Sequence, residues 1–277
     1  MADPVTGSEH SLNQRPVIRI FHNMARSGGT MVCKCIGAME PVRLFSEIHP
    51  AANQVEYLNL TDQAHRWYGL ATTEDVDAVY PFVEGLRRVH RRCIAEGYQM
   101  VLRDWAVIDF LGRILVEQPV YRHSLNHVLK DHFDIVEVSL VRHPLDQWLS
   151  TCRLNIYRDK IDSADFFLGY LKYVEAAAGH FIRYEDFTAA PGVVMQDICH
   201  QLALEYDPGF IDRWHHNRYI TGDNKNSSRG SKGDSASVIR PLPRREVEPA
   251  FKAQIEQDEN YQRVISLLGY QDAGYSS

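Results

Sequence analysis

The sequence has no apolar stretch long enough to cross a bilayer, which requires about 20 consecutive apolar residues. Its longest apolar stretches lie around residues 135–141 and 265–268. The first 14 residues include Asp3 and Glu9 but no apolar segment of the kind found in secretory signals. We therefore expect a cytoplasmic chain with no membrane partner, in which residues 1–15 form a disordered leader and residues 16–277 a single domain.

An excess of positive charge is also absent, because 30 Lys and Arg residues face 36 Asp and Glu residues and the net charge is -6. Nucleic-acid binding requires a broad basic face, so we predict no nucleic-acid partner. The five cysteines are odd in number and scattered, which favours reduced core thiols. Several histidines lack the accompanying carboxylates or cysteines that would indicate a metal site, and we expect no metal there: His123, His127, His132, His215 and His216.

What the chain does contain is an alternation of strand and helix patterns. Short runs rich in β-branched and apolar residues predict strands at 16–22, 98–103, 134–142 and 181–184. Apolar residues at helical spacing predict helices at about 30–39, 72–97, 144–152, 164–178, 191–204, 246–258 and 260–268, of which 72–97 is the longest. Residues 45–57 look irregular. This order predicts an α/β fold with a central, mostly parallel β-sheet of four to five strands flanked by helices.

One loop in this pattern is suited to binding an anion. Residues 23–30 read Asn-Met-Ala-Arg-Ser-Gly-Gly-Thr and connect the first predicted strand to the first predicted helix. Backbone N–H groups, the positive end of the helix dipole, Arg26 and two hydroxyls would converge there. The loop is not a Walker A loop, because Gly-x-x-x-x-Gly-Lys-Ser/Thr is absent.

Three further segments carry polar residues at element boundaries. Arg142 ends the third predicted strand, and Ser150 lies two turns into the helix that begins at Pro144. Tyr184 follows the fourth strand within Phe-Ile-Arg-Tyr-Glu-Asp-Phe. Residues 221–237 form a 17-residue polar stretch, which is typical of a functional lid or a disordered segment.

Together these segments resemble the motifs of nucleotide-dependent sulfotransferases, over about residues 16–245. That family has a Lys/Arg-Ser-Gly-x-Thr loop for the 5'-phosphosulfate and an Arg with a Ser eight positions later for the 3'-phosphate. The resemblance implies a P-loop NTPase-like sulfotransferase fold of the bacterial small-molecule branch. It also implies 3'-phosphoadenosine 5'-phosphosulfate (PAPS) as donor, a small-molecule acceptor with a hydroxyl or amine, adenosine 3',5'-bisphosphate (PAP) as product, and no metal.

The resemblance also implies which residues bind the donor. The loop residues Arg26, Ser27, Gly28, Gly29, Thr30 and Met31 would hold the 5' side, and Arg142 with Ser150 the 3'-phosphate. Tyr184 would lie near the adenine, and the late lid would contribute Ser228, Arg229, Gly230 and Lys232. Arg26 would also stabilise charge on the leaving phosphate.

The general base does not transfer from the family in the same way. Where the cytosolic branch has a histidine after the second strand, this chain has Trp105. Three nearby residues are candidates: Glu47 first, then Asp104, then His49.

Two alternatives remain open. A P-loop nucleotide kinase would share the strand, loop and helix but would need a Walker lysine and magnesium ligands. A non-catalytic nucleotide-binding relative would account for Trp105 and for Arg26 where lysine is commoner. The acceptor and the oligomeric state are also left open, although several aromatic residues would suit the wall of an acceptor pocket: Trp67, Tyr68, Tyr80, Trp105 and Tyr121.

Overall fold

The fold centres on a five-stranded sheet in a computed structural model, which describes residues 15–222 and 238–270. The strands are β1 (Val17–Asn23), β2 (Val42–Ile48), β3 (Gln99–Asp104), β4 (Asp134–Val141) and β5 (Phe181–Arg183). Their order in the sheet is β2-β3-β1-β4-β5, and every neighbouring pair is parallel. The predicted α/β class is confirmed, and the sheet is entirely rather than mostly parallel.

Helices follow or connect the strands. They are α1 (Gly29–Ile36), α2 (Leu60–Gln63), α3 (Thr73–Asp77), α4 (Phe82–Ala95), α5 (Val107–Leu111), α6 (Ser124–Leu129), α7 (Pro144–Thr151), α8 (Ser163–Ala176), α9 (Tyr184–Ala189), α10 (Pro191–Gln201), α11 (Phe210–Arg213), α12 (Pro249–Glu256) and α13 (Glu259–Leu268). Single turns of 3₁₀ helix lie at 50–52, 56–58 and 214–216, and a π-helical segment at 64–68. No helix among the described residues is both long enough and apolar enough to span a membrane.

The strand register aligns the carboxyl ends of the three central strands. His22 of β1 lies opposite Asp104 of β3 and Ser139 of β4, and Asn23 lies opposite Leu140. Because parallel strands end at the same edge, the loops after β1, β3 and β4 start side by side. Ligands of open α/β sheets bind at this edge.

The sheet is buried on both faces, as expected for parallel strands. Phe21 of β1 points into a core that α1, α9 and α10 cover, and Ile20 points into the opposite core, which α4 and α6 cover. A third apolar cluster joins α5, α7, α8 and α13 beside the end of β4. These cores fix the strand ends from which the polar loops emerge.

The prediction that residues 45–57 are irregular is wrong for their first part, because β2 runs to Ile48. The polar residues Arg43, Ser46 and Glu47 interrupt the apolar pattern of β2, so the strand was not predicted. Arg43 lies with its guanidinium 3.5 Å above the ring of Tyr98, so a charged residue is accommodated on this edge strand. The register also shifts between Phe45 and Ile48, and Glu47 has a positive φ of 57°.

The predicted single helix at 72–97 is also wrong, because α3 and α4 are separate. Pro81 lies at the amino end of α4, where its missing N–H group costs nothing and its ring ends any preceding helix. Thr72 and Asp75 form a capping box on α3. Asp75 also accepts a 2.5 Å hydrogen bond from Arg92 of α4, which joins the two helices.

Replacing Asp75 by Asn should lower the free energy of unfolding by about 1–2 kcal/mol at pH 7, as measured by urea denaturation. Arg92 and the Thr72 backbone hold the pKa of Asp75 below its usual range. This stabilisation is therefore present above the unfolded-state pKa and is lost as the pH falls towards the folded-state pKa. The exposed Asp77→Asn is the control. Equal losses in both variants at pH 7 would contradict the capping role.

Candidate active site

The loop between β1 and α1 folds into a tight turn at the carboxyl edge of the sheet. Arg26 has a φ of 64° and Gly28 a φ of 94°. The hydroxyl of buried Ser27 donates to the Met24 carbonyl at 2.8 Å. α1 then begins at Gly29, whose position has no room for a side chain because a Cβ there would lie 2.4 Å from Asn23. The loop thus presents its backbone at the amino end of a helix, where anions bind.

Arg142 and Ser150 meet this loop, although more than a hundred residues separate them from it in sequence. Arg26 Nε donates to Ser150 Oγ at 2.9 Å. Arg142 Nη1 donates to the Arg26 carbonyl at 3.2 Å. The side-chain amide of Gln147, also on α7, donates to the Ala25 carbonyl at 2.9 Å. The two segments predicted to bind one nucleotide are therefore in direct contact.

Tyr184 closes this part of the site from the end of β5. The Arg142 guanidinium lies 4.8 Å from the centroid of the Tyr184 ring. A Cβ at Gly28 would lie 2.2 Å from the same ring, so the glycine is required by this close contact as well as by its φ. Tyr184 is itself buried and packs with the core under α1.

A third arginine, Arg103 near the end of β3, was not predicted from the sequence to lie in the site. Its guanidinium is buried and donates to Asn23 Oδ1 at 2.9 Å, to Ser46 Oγ at 3.2 Å and to the Thr221 carbonyl at 3.1 Å. It also lies 3.4 Å from Thr30 Oγ1. An arginine directly after the apolar residues 100–102 of β3 was the available signal, since a buried guanidinium requires dedicated partners.

Glu47 lies beside this arginine. Its carboxylate is 3.7 Å from Arg103 and its side chain is 13% exposed. A Cβ on Gly222 would come within 3.2 Å of Glu47 Oε1 and 3.6 Å of Thr30 Oγ1, so the three groups surround one spot. Of the three candidate bases, Glu47 is thus the one placed beside Thr30 of the loop between β1 and α1.

Asp104 and His49 are held in other buried contacts. His22 Nδ1 is 2.7 Å from Asp104 Oδ2, and His22 Nε2 is 2.8 Å from Glu137 Oε2. Burial alone would lower the pKa of His22, but these two hydrogen bonds outweigh it and raise the pKa to about 9. His49 caps the turn at 50–52 and lies 3.2 Å from Asp109 Oδ1.

The aromatic residues expected to wall an acceptor pocket have packing contacts of their own. Tyr68 donates to the Leu44 carbonyl at 2.7 Å, and Tyr80 lies under the Arg88 guanidinium. Trp105 packs against the cluster of α5, α7 and α8. The lid residues Ser228, Arg229, Gly230 and Lys232 lie outside the described residues, while Met31 packs partly buried on α1.

Gly28→Ala should destabilise the protein more than Gly97→Ala does, in thermal or urea unfolding. Gly97 has a φ of 82° and nothing within 4 Å of an added Cβ, so its variant measures the backbone cost alone, about 1–2 kcal/mol. Gly28→Ala adds displacement of the Tyr184 ring, which we expect to cost about 1–3 kcal/mol more. Equal losses would show that Tyr184 does not pack on the loop.

The chain is similar in structure to two sulfotransferase domains. The sulfotransferase domain from the curacin biosynthetic pathway superimposes with a TM-score of 0.58 at 14% sequence identity, covering 94% of this chain and 99% of that one. The sulfotransferase domain of the Synechococcus PCC 7002 olefin synthase gives a TM-score of 0.60 at 17% identity, covering 94% and 97%. No protein-family model matches the chain, and no curated protein matches its sequence. The strand order, the loop after β1 and these similarities together show that this chain has the sulfotransferase fold.

Proposed function

We propose that the protein is a sulfotransferase that moves the sulfuryl group of PAPS to a hydroxyl or amine of a small-molecule acceptor. The observation that carries this proposal is the contact of Arg142 and Ser150 with the loop at Arg26. A single nucleotide with phosphates on the 5' and 3' positions of its ribose would contact both the loop at Arg26 and the segment of Arg142 and Ser150. The similarity of the fold to sulfotransferase domains supports the same function.

Each phosphate has a distinct set of donors in this proposal. The 5'-phosphosulfate would lie on the loop amides of Gly28, Gly29 and Thr30 at the start of α1. Arg142 and Ser150, with Arg26 bridging to them, would hold the 3'-phosphate through charge-assisted hydrogen bonds. Tyr184 would bring its ring to the adenine from beside Arg142.

The transfer step needs position and charge stabilisation more than covalent catalysis. The acceptor oxygen or nitrogen bonds to the sulfur while the bond from sulfur to the 5'-phosphate oxygen breaks. The acceptor proton passes to Glu47. The electron pair and negative charge go to the leaving phosphate, where Arg26, the loop amides and Arg103 beside Thr30 would stabilise them.

The kinase alternative is less well supported by the site. The loop carries no Walker lysine, and the cation beside Thr30 is the buried Arg103, which is held by four other polar groups. The cytoplasmic location, the single domain, the disordered leader and the lack of a nucleic-acid partner stay predictions.

Calorimetric titration tests the donor site. We expect the wild type to bind PAP more tightly than adenosine 5'-monophosphate, because only PAP carries the 3'-phosphate. Arg142→Ala should weaken PAP binding by about 1.5–3 kcal/mol, roughly 10- to 150-fold in Kd, and should change binding of the monophosphate little.

Arg122→Ala is the control, since it removes the same charge from an exposed position. It should leave both affinities as in the wild type. Equal affinity of the wild type for PAP and the monophosphate would refute the assignment of a 3'-phosphate site.

The role of Glu47 is tested by Glu47→Gln, with Glu56→Gln as the exposed control. Once labelled PAPS has identified an acceptor, Glu47→Gln should lower kcat by about 10²- to 10⁴-fold because proton removal is lost. Its Kd for PAP should stay within a few-fold of the wild type. An unchanged kcat would exclude Glu47 as the base.

A further inference from the structure

Four ionisable side chains, three of them buried, lie together near the carboxyl ends of β1 and β3. His22 is the penultimate residue of β1, and Asp104 ends β3. His123 immediately precedes α6, and Glu137 lies on β4. The first three are all buried, and one donor atom from each lies within 4.8 Å of the others. In the sequence, His123 has no neighbouring carboxylate or cysteine that would indicate a metal site. The fold supplies such a carboxylate from β3, 19 positions earlier.

The hydrogen bonds within this cluster leave several polar atoms unsatisfied. Neither ring nitrogen of His123 has a hydrogen-bond partner among the described residues, although Nδ1 lies 3.4 Å from Asp104 Oδ2. Asp104 Oδ1 is buried and unpartnered as well. Each such atom costs about 1–3 kcal/mol when it is withdrawn from water without a partner. Three of them side by side indicate that the cluster has an additional occupant.

Glu137 holds His22 in the orientation that a metal ligand requires. It lies 2.8 Å from His22 Nε2, and Asn126 donates a hydrogen bond to the same carboxylate oxygen. The opposite nitrogen, Nδ1, faces Asp104 at 2.7 Å. Metal-bound histidines usually donate their outer N–H to a carboxylate in this way, which fixes the tautomer and the ring.

We propose that His22, Asp104 and His123 bind a zinc ion. Four donors are available: His22 Nδ1, one ring nitrogen of His123 and the two oxygens of Asp104. The ion would satisfy Asp104 Oδ1 and one of the two unpartnered ring nitrogens of His123. Its two positive charges would balance the carboxylates of Asp104 and Glu137. Imidazole and carboxylate donors in a four-coordinate site favour zinc over magnesium or calcium, which take oxygen ligands.

Metal entry requires a small movement and the release to solvent of the proton that His22 Nδ1 donates to Asp104. Zinc lies about 2.0–2.2 Å from such ligands, so Nδ1 of His22 and Oδ2 of Asp104 would separate from 2.7 Å to roughly 3–3.5 Å. His22 immediately precedes Asn23, and Asp104 immediately follows Arg103, which are hydrogen-bonded to each other. The ion would therefore join the ends of β1 and β3. It would thereby help to fix the position of Arg103, which directly precedes its ligand Asp104. The role of the ion would be structural, since protein donors would fill all four coordination positions and leave none for a substrate.

The experiment uses the untagged full-length protein, stripped with a chelator and dialysed against zinc or cobalt(II). We expect about one equivalent of either metal per chain, and an increase in Tm that reverses on chelation. Cobalt(II) should show the visible absorption of a four-coordinate site. His123→Gln should bind zinc at least about tenfold more weakly. His90→Gln, which alters a buried histidine bound to the Val17 carbonyl, is the control and should keep the metal.

A wild type that takes up less than a tenth of an equivalent of either metal, in the range expected for adventitious binding, would overturn the proposal. So would equal zinc affinity in His123→Gln and the wild type. If His123→Gln does not fold, X-ray absorption of the cobalt-loaded wild type decides. Scattering from two imidazoles with oxygen supports the site, and a shell without imidazole overturns it. PAP binding is measured separately, so loss of this proposal leaves the sulfotransferase proposal unaffected.

Discussion

The candidate site depends on the buried guanidinium of Arg103. A charged group removed from water is tolerated only when its hydrogen-bond donors are used and a counter-charge lies near. Arg103 meets this requirement with Asn23 at the end of β1, Ser46 and Glu47 on β2, and the Thr221 carbonyl. The ends of β1, β2 and β3 and the chain near residue 221 are thereby held together, and the loop at Thr30 lies on top of them.

The sequence was informative where local rules and sheet topology suffice. A strand, a glycine-containing loop and an amphipathic helix predicted the turn at 23–30. Parallel connections bring the end of β4 to the same edge. Arg142 and Ser150 were proposed because they lie at that end and their spacing resembles a sulfotransferase motif. β2 was missed because Arg43 and Ser46 interrupt its apolar pattern, and what accommodates them is Tyr98 and Arg103, which are distant in sequence.

The cluster of His22, Asp104 and His123 was missed for the same reason, because its members are far apart in the sequence. His22 reads as one polar residue in an apolar strand, and Asp104 as a carboxylate after another. Only the register of β1 against β3 places them opposite each other, and only the connection after α5 returns His123 to them. Asp104, a candidate base from its position in sequence, therefore lies in a buried polar cluster, while Glu47 lies beside Thr30 of the loop between β1 and α1. Short-range patterns do not contain this information, because it depends on contacts between residues about 20 to 100 positions apart.

Transfer of the labelled sulfuryl group is the most direct test of the proposed function. The wild-type protein is incubated with PAPS labelled in the sulfuryl group and with mixtures of small hydroxyl- and amine-bearing compounds. The account predicts that label moves to an organic acceptor, with one PAP formed for each sulfuryl group transferred. Tight binding of PAP with no transfer to any acceptor would contradict it and identify the protein as a nucleotide-binding relative that has the fold without the reaction.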